Sequence, residues 1–471
     1  MSFCHDFAPT ILREYDIRGV VGQTLNPADA YAVGRTFGTL IKRDGGKKAG
    51  VCYDGRHSSP ALTEQLIAGF NDAGIDVELY GLAPTPLAYY ALHERHLDGV
   101  VAVTGSHNPP AYNGIKMALR AGPVFGDTIR QLGVMAAQGD VESGMGIVTE
   151  HDINEDYITR LARDYLAHGK RPMKIAWDAG NGVVGHILKR FTDKIPGEHI
   201  ILFDEVDGDF PNHHPDPLVE KNLEDLKRVV RDEQCDLGIA FDGDGDRVGA
   251  IDRHGKIMWP DQFITLYARD VLQRHPGAKI VLDIKCSKSA SDLITSYGGE
   301  PVLWKAGHSL VKSKMKEIDS PLGGELSGHI FFKDGFYGHD DALYCAVRLL
   351  NVINQFGDLA ELQTWFPETF ATPEMRFEVP DEDKFDMVER VKQYALAHKD
   401  AQSSVLDIDG VRLNTPNGWW LLRASNTQNA LTARVEGLTA HARDELFAAL
   451  QDALKAAHIP VPDDLLNSAA H

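Results

Sequence analysis

Three times along this chain an apolar run closes on a short polar, often acidic loop, and a helical stretch follows. The first is Gly50-Val51-Cys52-Tyr53-Asp54-Gly55-Arg56, ahead of a helix expected from Pro60 to Ala73. The second is Lys174-Ile175-Ala176-Trp177-Asp178-Ala179-Gly180, with a helix to Phe191. The third is Lys279-Ile280-Val281-Leu282-Asp283-Ile284-Lys285, with a helix to Tyr297. Continuous apolar runs suit strands buried on both faces, and strands alternating with helices specify parallel or mixed α/β sheets. The units stand much further apart than solenoid repeats do. The pattern therefore predicts three related α/β domains, not an array.

Each unit has a second strand with a distinctive end. Gly99-Val100-Val101-Ala102-Val103 runs into Thr104-Gly105-Ser106-His107-Asn108-Pro109, and Leu237-Gly238-Ile239-Ala240-Phe241 into Asp242-Gly243-Asp244-Gly245-Asp246-Arg247. Pro321-Leu322 meets Gly323-Gly324-Glu325-Leu326-Ser327-Gly328-His329, and a strand-like Ile330-Phe331-Phe332 follows. Ligand sites in open α/β sheets form beyond the carboxyl ends of strands, so three such loops can converge on one cleft. Composition shifts near Gly139–His151, near Asp252–Pro260 and at Pro367–Asp383, the last rich in Pro and acid as linkers are. Beyond it a fourth piece reads as α+β: a helix near Lys384–His398, strands near Ser404–Leu413, Gly418–Leu422 and Ala430–Glu436, and a helix near Ala442–Ala457. The expected domains are 1–150, 151–255, 256–368 and 369–471.

Charge narrows the function. With 68 acids against 48 Lys and Arg, the net charge is −20, which excludes a globally electropositive binder of nucleic acid or anionic membrane. No apolar run approaches the roughly 18 residues of a membrane helix. Asp6, Arg13, Glu14, Asp16 and Arg18 interrupt the start, where a signal peptide would be apolar. Cys4, Cys52, Cys235, Cys286 and Cys345 are odd in number and never in a CxxC pair, which fits reduced thiols in a cytoplasmic protein.

Asp242, Asp244 and Asp246 are the strongest chemical signal. Three carboxylates at alternate positions, with glycines between them, can curl around one cation, and an all-oxygen donor set favours Mg²⁺ before Ca²⁺. An EF-hand is excluded because its sixth position is Arg247 and its twelfth Arg253. Ser106 lies in a turn after a buried strand. Its hydroxyl needs a base or metal to act as nucleophile, and Ser/Asn/Pro turns also occur for structural reasons alone. Asn113-Gly114 then turns the chain, so a returning strand at Ile115-Lys116-Met117 can bring Lys116 near Ser106. A hydroxyl beside an acid-bound Mg²⁺ suggests phosphoryl transfer. Arg18, Arg247, Lys285 and the run Arg423-Ala424-Ser425-Asn426-Thr427 are the candidates to hold phosphate. His308 and His329 read as structural histidines more than as catalysts, and His213-His214-Pro215-Asp216 as a rigid loop more than a metal site.

Together these motifs resemble the α-D-phosphohexomutase superfamily, in its bacterial phosphomannomutase/phosphoglucomutase branch. The resemblance runs from Arg13-Glu14-Tyr15-Asp16-Ile17-Arg18-Gly19 to Arg423–Thr427. It takes in a phosphoserine-like loop at 104–109, a metal-like loop at 242–247 and a sugar-recognition-like loop at 324–329. It implies three α/β domains and a C-terminal α+β domain, TATA-binding-protein-like in fold only, around a central cleft. The implied activity is reversible conversion of hexose 1-phosphate and hexose 6-phosphate, with mannose or glucose as sugar. It would run through phosphorylated Ser106 and a hexose 1,6-bisphosphate.

The resemblance further implies Mg²⁺ on Ser106, Asp242, Asp244 and Asp246, with Arg247 steadying the transferring group. Lys116, His329 and Arg18 become acid/base candidates, although a guanidinium hardly deprotonates. Tyr15, Lys285, His308, Glu325 and Ser327 would bind the sugar, and Arg423, Ser425, Asn426 and Thr427 the non-reacting phosphate. Leu326 stands where dual-specificity members commonly have Met, a volume-conserving change. The glucosamine-phosphate branch resembles 324–329 less well. Small sugar phosphates are the expected partners, with no nucleic acid or membrane, and the chain is expected to be a monomer or weak dimer. Two rival readings remain: an Asp242-nucleophile phosphatase or mutase of the haloacid dehalogenase type, and a non-catalytic sugar-phosphate sensor.

Overall fold

The computed structural model describes residues 3–168, 171–380, 382–425 and 429–459. Their strands form four sheets. In the first, Lys48–Tyr53 lies parallel between Asp76–Leu82 and Gly99–Val103, and Tyr112–Leu119 returns antiparallel with Lys116 opposite Ala102. Ile17–Val20 pairs on the outer side of that return. In the second, Met173–Asp178 lies parallel between Gly197–Leu202 and Leu237–Phe241, and Val248–Asp252 returns antiparallel. In the third, Lys279–Asp283 lies parallel between Glu300–Trp304 and Leu322–Gly324, and Ile330–Phe332 returns antiparallel. One arrangement thus recurs three times. The two central strands of each unit are parallel neighbours, so their carboxyl-end loops share one sheet edge. The helices Ser59–Ala73, Gly185–Thr192 and Lys288–Ser296 follow the first central strands, within a residue or so of their expected bounds.

The fourth sheet is antiparallel around Gly418–Ala424 and Ala430–Gly437, with the helices Lys384–His398 and Ala440–Ala456 packed against it. Alternation along Gly418–Ala424 divides the work. Trp420 and Leu422 join Phe447 and Leu450 in this domain's core, while Trp419 and Leu421 pack on Ile284 of the third unit. Arg412 completes that junction. Its buried guanidinium lies 3.9 Å from the Trp419 ring centroid and donates to the carbonyls of Ile284 (2.5 Å) and Cys286 (2.7 Å).

Two expectations need correction. The Pro- and acid-rich 367–383 is not merely a connection: Phe370–Ala371 and Met375–Glu378 both pair with Ala430–Gly437. Met375 and Phe377 point inward while Arg376 and Glu378 point out, so a period-two pattern lay beneath the linker-like composition. The strand expected over Ser404–Leu413 is a hairpin of Ser404–Leu406 and Val411–Thr415, and Gly410 turns it at φ +86°. Likewise Val148–Glu150 adds an edge to the first sheet, and Ile257–Met258 adds one to the second. All five cysteines are free, and four are buried. No helix among the described residues is long and apolar enough to cross a membrane.

Candidate active site

Ser106 sits just past Gly99–Val103, buried, with φ +50° in the left-handed region. A serine holds that conformation only where its surroundings determine it. Asp54 and Arg56, at the end of the neighbouring strand, supply those surroundings. Asp54 accepts from the Thr104 hydroxyl (2.8 Å) and the Gly105 N–H (3.0 Å). The Arg56 guanidinium donates to four carbonyls of the loop: Ser106 (2.8 Å), Asn108 (2.6 Å), Pro109 (2.7 Å) and Tyr112 (3.0 Å). A Cβ at Gly105 would lie 2.2 Å from Arg56 Nε, so only glycine admits this approach. From the other side Arg18 donates to the Asn108 side chain (2.7 Å) and the Gly105 carbonyl, and pairs with Asp16.

The second unit brings its acidic loop directly against this serine. A Cβ at Gly243 would lie 2.5 Å from the Ser106 carbonyl oxygen. The Ser106 hydroxyl donates to Asp242 Oδ2 (3.0 Å), while Asp242 Oδ1 accepts the N–H groups of Gly245, Asp246 and Arg247 (3.0–3.1 Å). Asp244 accepts from the Thr85 hydroxyl (2.6 Å) and from Lys116 Nζ (2.8 Å), which also pairs with Asp246. Burial, then Asp246 and Asp244, push the Asp242 carboxyl well up. Burial acts the same way on Asp244, but Lys116 outweighs it and holds that carboxyl far below the usual range.

This donor set fits a hard divalent cation. The three aspartates offer carboxylate oxygens within 4.8 Å of one another, and Asp244 Oδ1 and Asp246 Oδ1 are buried with no hydrogen-bond partner among the described residues. Two orphaned buried carboxylate oxygens facing like charges are costly unless a cation compensates them.

His329 follows from the third unit. Arg247 Nε donates to His329 Nε2 at 3.0 Å, and His329 Nδ1 lies 3.0 Å from Asp340 and 3.6 Å from Asp246. That bonding assigns the Nδ1–H tautomer. His308 stacks on His329 with centroids 5.3 Å apart, and burial followed by Lys312 lowers its pKa well below the usual value. Glu325 is buried and accepts the Gly307 N–H (2.6 Å) through Oε1, leaving Oε2 without a partner among the described residues. Ser327 is half-buried in the turn that Gly328 closes at φ +90°. Tyr15 reaches across from the first unit, its hydroxyl on the Ala306 carbonyl (2.8 Å) and its ring edge-on to His308.

The C-terminal residues form a second group. Arg423 pairs with Asp409 (2.9 Å), and the same Asp409 oxygen accepts the Ala306 N–H (3.1 Å). Lys285 Nζ lies 3.8 Å from Glu374. The Ser425 N–H bonds the Ala430 carbonyl (2.8 Å), and Asn426 and Thr427 lie outside the described residues. His213 binds Asp178 (3.0 Å) and the His214 carbonyl (2.9 Å), and the acidic and histidine groupings able to hold a metal among the described residues do not include it.

Ser106, Lys116, Arg18, Arg247, His329 and the three aspartates are thus linked contact by contact. Sequence reasoning missed Arg56, Thr85, Lys312 and Asp340, and assigned Asp54 no role. Asp54 and Arg56 occupied a strand-end loop of the recurring pattern, and that position was the available signal. Asp340 had a weaker one: the pair Asp340-Asp341 ends just before the helix Ala342–Phe356, where Asp341 is the N-cap.

Comparison with known proteins gives the same order of parts. The family described as "Phosphoglucomutase/phosphomannomutase, alpha/beta/alpha domain I" matches 9–133, its domain II matches 155–255, its domain III 259–370 and its C-terminal domain 374–453. The phosphomannomutase/phosphoglucomutase of Pseudomonas aeruginosa is 43% identical over 462 residues, covering 97% of this chain and 99% of that protein. A phosphoglucomutase of Neisseria meningitidis is 39% identical over 92% of this chain and 94% of its own. The crystal structure of a phosphoglucomutase/phosphomannomutase family protein from Burkholderia thailandensis superposes with a TM-score of 0.92 at 39% identity, covering 97% of this chain and 99% of that one. With the four family domains in order from 9 to 453 and relatives matched nearly end to end, the chain belongs to the phosphoglucomutase/phosphomannomutase family of the α-D-phosphohexomutase superfamily.

Proposed function

We propose that the protein reversibly interconverts hexose 1-phosphate and hexose 6-phosphate, with mannose or glucose as the sugar, through phosphorylated Ser106. The observation that carries this reading is the Ser106 hydroxyl, 3.0 Å from Asp242 at the rim of a buried triad of carboxylates. In the proposed cycle the bond from phosphorus to Ser106 Oγ breaks as one forms to the substrate's free hydroxyl, whose proton goes to a neighbouring base. The hexose 1,6-bisphosphate turns around, and its other phosphoryl group returns to Ser106. Mg²⁺ held by Asp242, Asp244, Asp246 and the serine phosphate would supply charge neutralisation on the transferring oxygens.

Arg247 orients that group and the His329 ring. His329 carries the proton at Nε2 once substrate displaces Arg247 from it, and Lys116 is the alternative carrier. Arg18, already spent on Gly105, Asn108 and Asp16, acts by charge and by shaping the loop. Tyr15, His308, Glu325 and Ser327 meet the sugar, and Lys285, Arg423, Ser425, Asn426 and Thr427 the non-reacting phosphate. Domains divided near 150, 255 and 368, a cytoplasmic location and a monomeric or weakly dimeric state complete the reading. A nucleophilic Asp242 is disfavoured, since one of its oxygens accepts three backbone N–H groups and the other the serine hydroxyl.

Turnover of mannose, glucose and glucosamine 1-phosphates by the purified protein and by Ser106→Ala tests the proposal. The first two sugars should be converted, with activity lost in the variant and an acid-stable phosphate on Ser106 in the native enzyme. Near-native turnover by Ser106→Ala without added bisphosphate, or a base-labile acyl phosphate on Asp242, overturns it.

A further inference from the structure

The seam between the first and third sheets holds a cavity of about 310 Å³, bounded by the turn after Tyr112–Leu119, the helix His308–Glu317 and the loop 333–339. We propose that it is a second small-molecule site, for an anion carried on a flat, apolar ring, separate from the catalytic cleft. Three independent observations point there.

The first is charge. In a chain of net −20 the cavity wall contains Arg120, Lys312, Lys316 and Lys333, and no Asp or Glu. Carboxylates outside the wall partner three of these cations: Asp98 with Arg120, Asp340 with Lys312, and Asp319 with Lys333. Lys316 donates to the Ala121 carbonyl (2.6 Å). Each ammonium has three N–H donors, so capacity for a further acceptor remains. A local positive concavity on an acidic protein selects anions.

The second is His339, which lines the cavity at 5% exposure. Neither of its ring nitrogens has a hydrogen-bond partner among the described residues, and the Asp341 carboxylate is 3.8 Å away. A buried imidazole with both nitrogens unsatisfied is expensive, and an occupant offering a polar edge would relieve it.

The third is shape. His93 and Tyr337 stack at 4.8 Å and 12°, and the Tyr337 and His339 rings are parallel to within 2° at 5.9 Å. Leu92, Leu119 and Met315 contribute apolar wall beside these rings. The volume stands at the lower end of the range for ligand sites, about 300–1,000 Å³, which limits the occupant to a small molecule bearing one anionic group.

Lys312 connects this cavity to the catalytic cleft. Its ammonium holds Asp340 Oδ1 at 2.9 Å, and Asp340 Oδ2 lies 3.0 Å from His329. An occupant that draws Lys312 away therefore acts on kcat rather than on KM for the sugar phosphate.

Adenosine 5′-monophosphate is a suitable first probe, titrated calorimetrically into the full-length protein with saturating hexose 1,6-bisphosphate to fill the catalytic cleft. Adenosine, inorganic phosphate and 1-naphthoate serve as comparisons. The nucleotide should bind at least about tenfold more tightly than adenosine or phosphate, a difference of roughly 1.4 kcal/mol. 1-Naphthoate binding as well as the nucleotide identifies a general aryl-anion site, and nucleotide binding alone a phosphate-selective one; either supports the proposal. Lys316→Glu and Lys333→Ala alter exposed side chains and should keep mutase activity without probe, while weakening probe binding about tenfold or more. Absence of binding at millimolar probe overturns the proposal. So does phosphate binding as tightly as the nucleotide, displacement by the bisphosphate, or unchanged affinity in both variants.

Discussion

Replacing Arg56 by methionine removes the guanidinium that ties down the serine loop while roughly keeping its buried volume. Four carbonyls between Ser106 and Tyr112 lose their donor, at 2.6–3.0 Å in the native arrangement, and Asp54 loses its ion-pair partner at 3.1 Å. Single charge-assisted bonds contribute roughly 1.5–3 kcal/mol, but these share one group and do not add. The better guide is the loss of one member of a buried ion pair, about 3–5 kcal/mol. The chemical effect is separate. A reacting atom misplaced by about 1 Å costs on the order of a hundredfold in rate, and Ser106 sits in a left-handed backbone conformation within this loop. Arg56→Met should therefore lower kcat about a hundredfold with KM for hexose 1-phosphate little changed, because Arg56 touches none of the proposed phosphate clamp. Arg56→Lys should recover little, since a single ammonium cannot span four carbonyls. Hydrogen exchange over 99–119, read beside steady-state kinetics, separates the two effects. A variant destabilised by 3–5 kcal/mol whose kcat stays within about threefold refutes the claim that Arg56 positions the nucleophile. A loss confined to KM refutes it equally.

Chelation should abolish turnover, and Asp244→Asn should reproduce that loss while the chain stays folded; full activity after chelation counts against a metal-assisted transfer. Arg423→Ala should weaken productive use of hexose 1-phosphate and hexose 6-phosphate alike, by about ten- to a hundredfold, and increase the release of bisphosphate in single turnover. If one direction stays native, two separate phosphate sites replace the shared clamp. The His213–Asp178 pair gives a pH signature. Burial lowers the His213 pKa, but bonding to Asp178 outweighs it and leaves a net rise above 6.5. Its stabilisation is therefore complete below about pH 6.5 and lost as pH rises through the higher folded value. Urea midpoints of the wild type and His213→Asn should converge between pH 5.5 and 8.5, and a gap that widens with pH is the opposite sign.

The three α/β units were legible because each repeats a run buried on both faces, and such a run reads the same in every context. Leu237–Phe241 and Gly99–Val103 appear with the bounds read from the sequence. The fourth sheet was only partly legible. Met375–Glu378 alternates inward and outward, but the prolines and acids around it masked the alternation. Within the candidate site, Asp242, Asp244 and Asp246 could be singled out because their spacing is local. Asp340 and Lys312 belong to the site only through contacts between distant segments, to His329 and to each other, and no local pattern encodes those. Arg56 lies between: its position at a strand end was readable, whereas its four carbonyl partners some 50 residues on were not.

Arg412, which fastens the C-terminal domain to the third unit, holds the carbonyls of Ile284 and Cys286 rather than any side chain of that unit. Main-chain carbonyls are present whatever residues occupy 284 and 286. The junction is therefore asymmetric in its tolerance of mutation: drift on the third unit's side leaves the acceptors in place, while loss of the single arginine removes the bonds at once. Exchange of C-terminal domains between relatives should accordingly demand that the incoming piece carry its own arginine and the flat ring beneath it, and ask of the recipient chiefly an apolar side chain at 284. A chimera whose incoming domain lacks that arginine is the informative control.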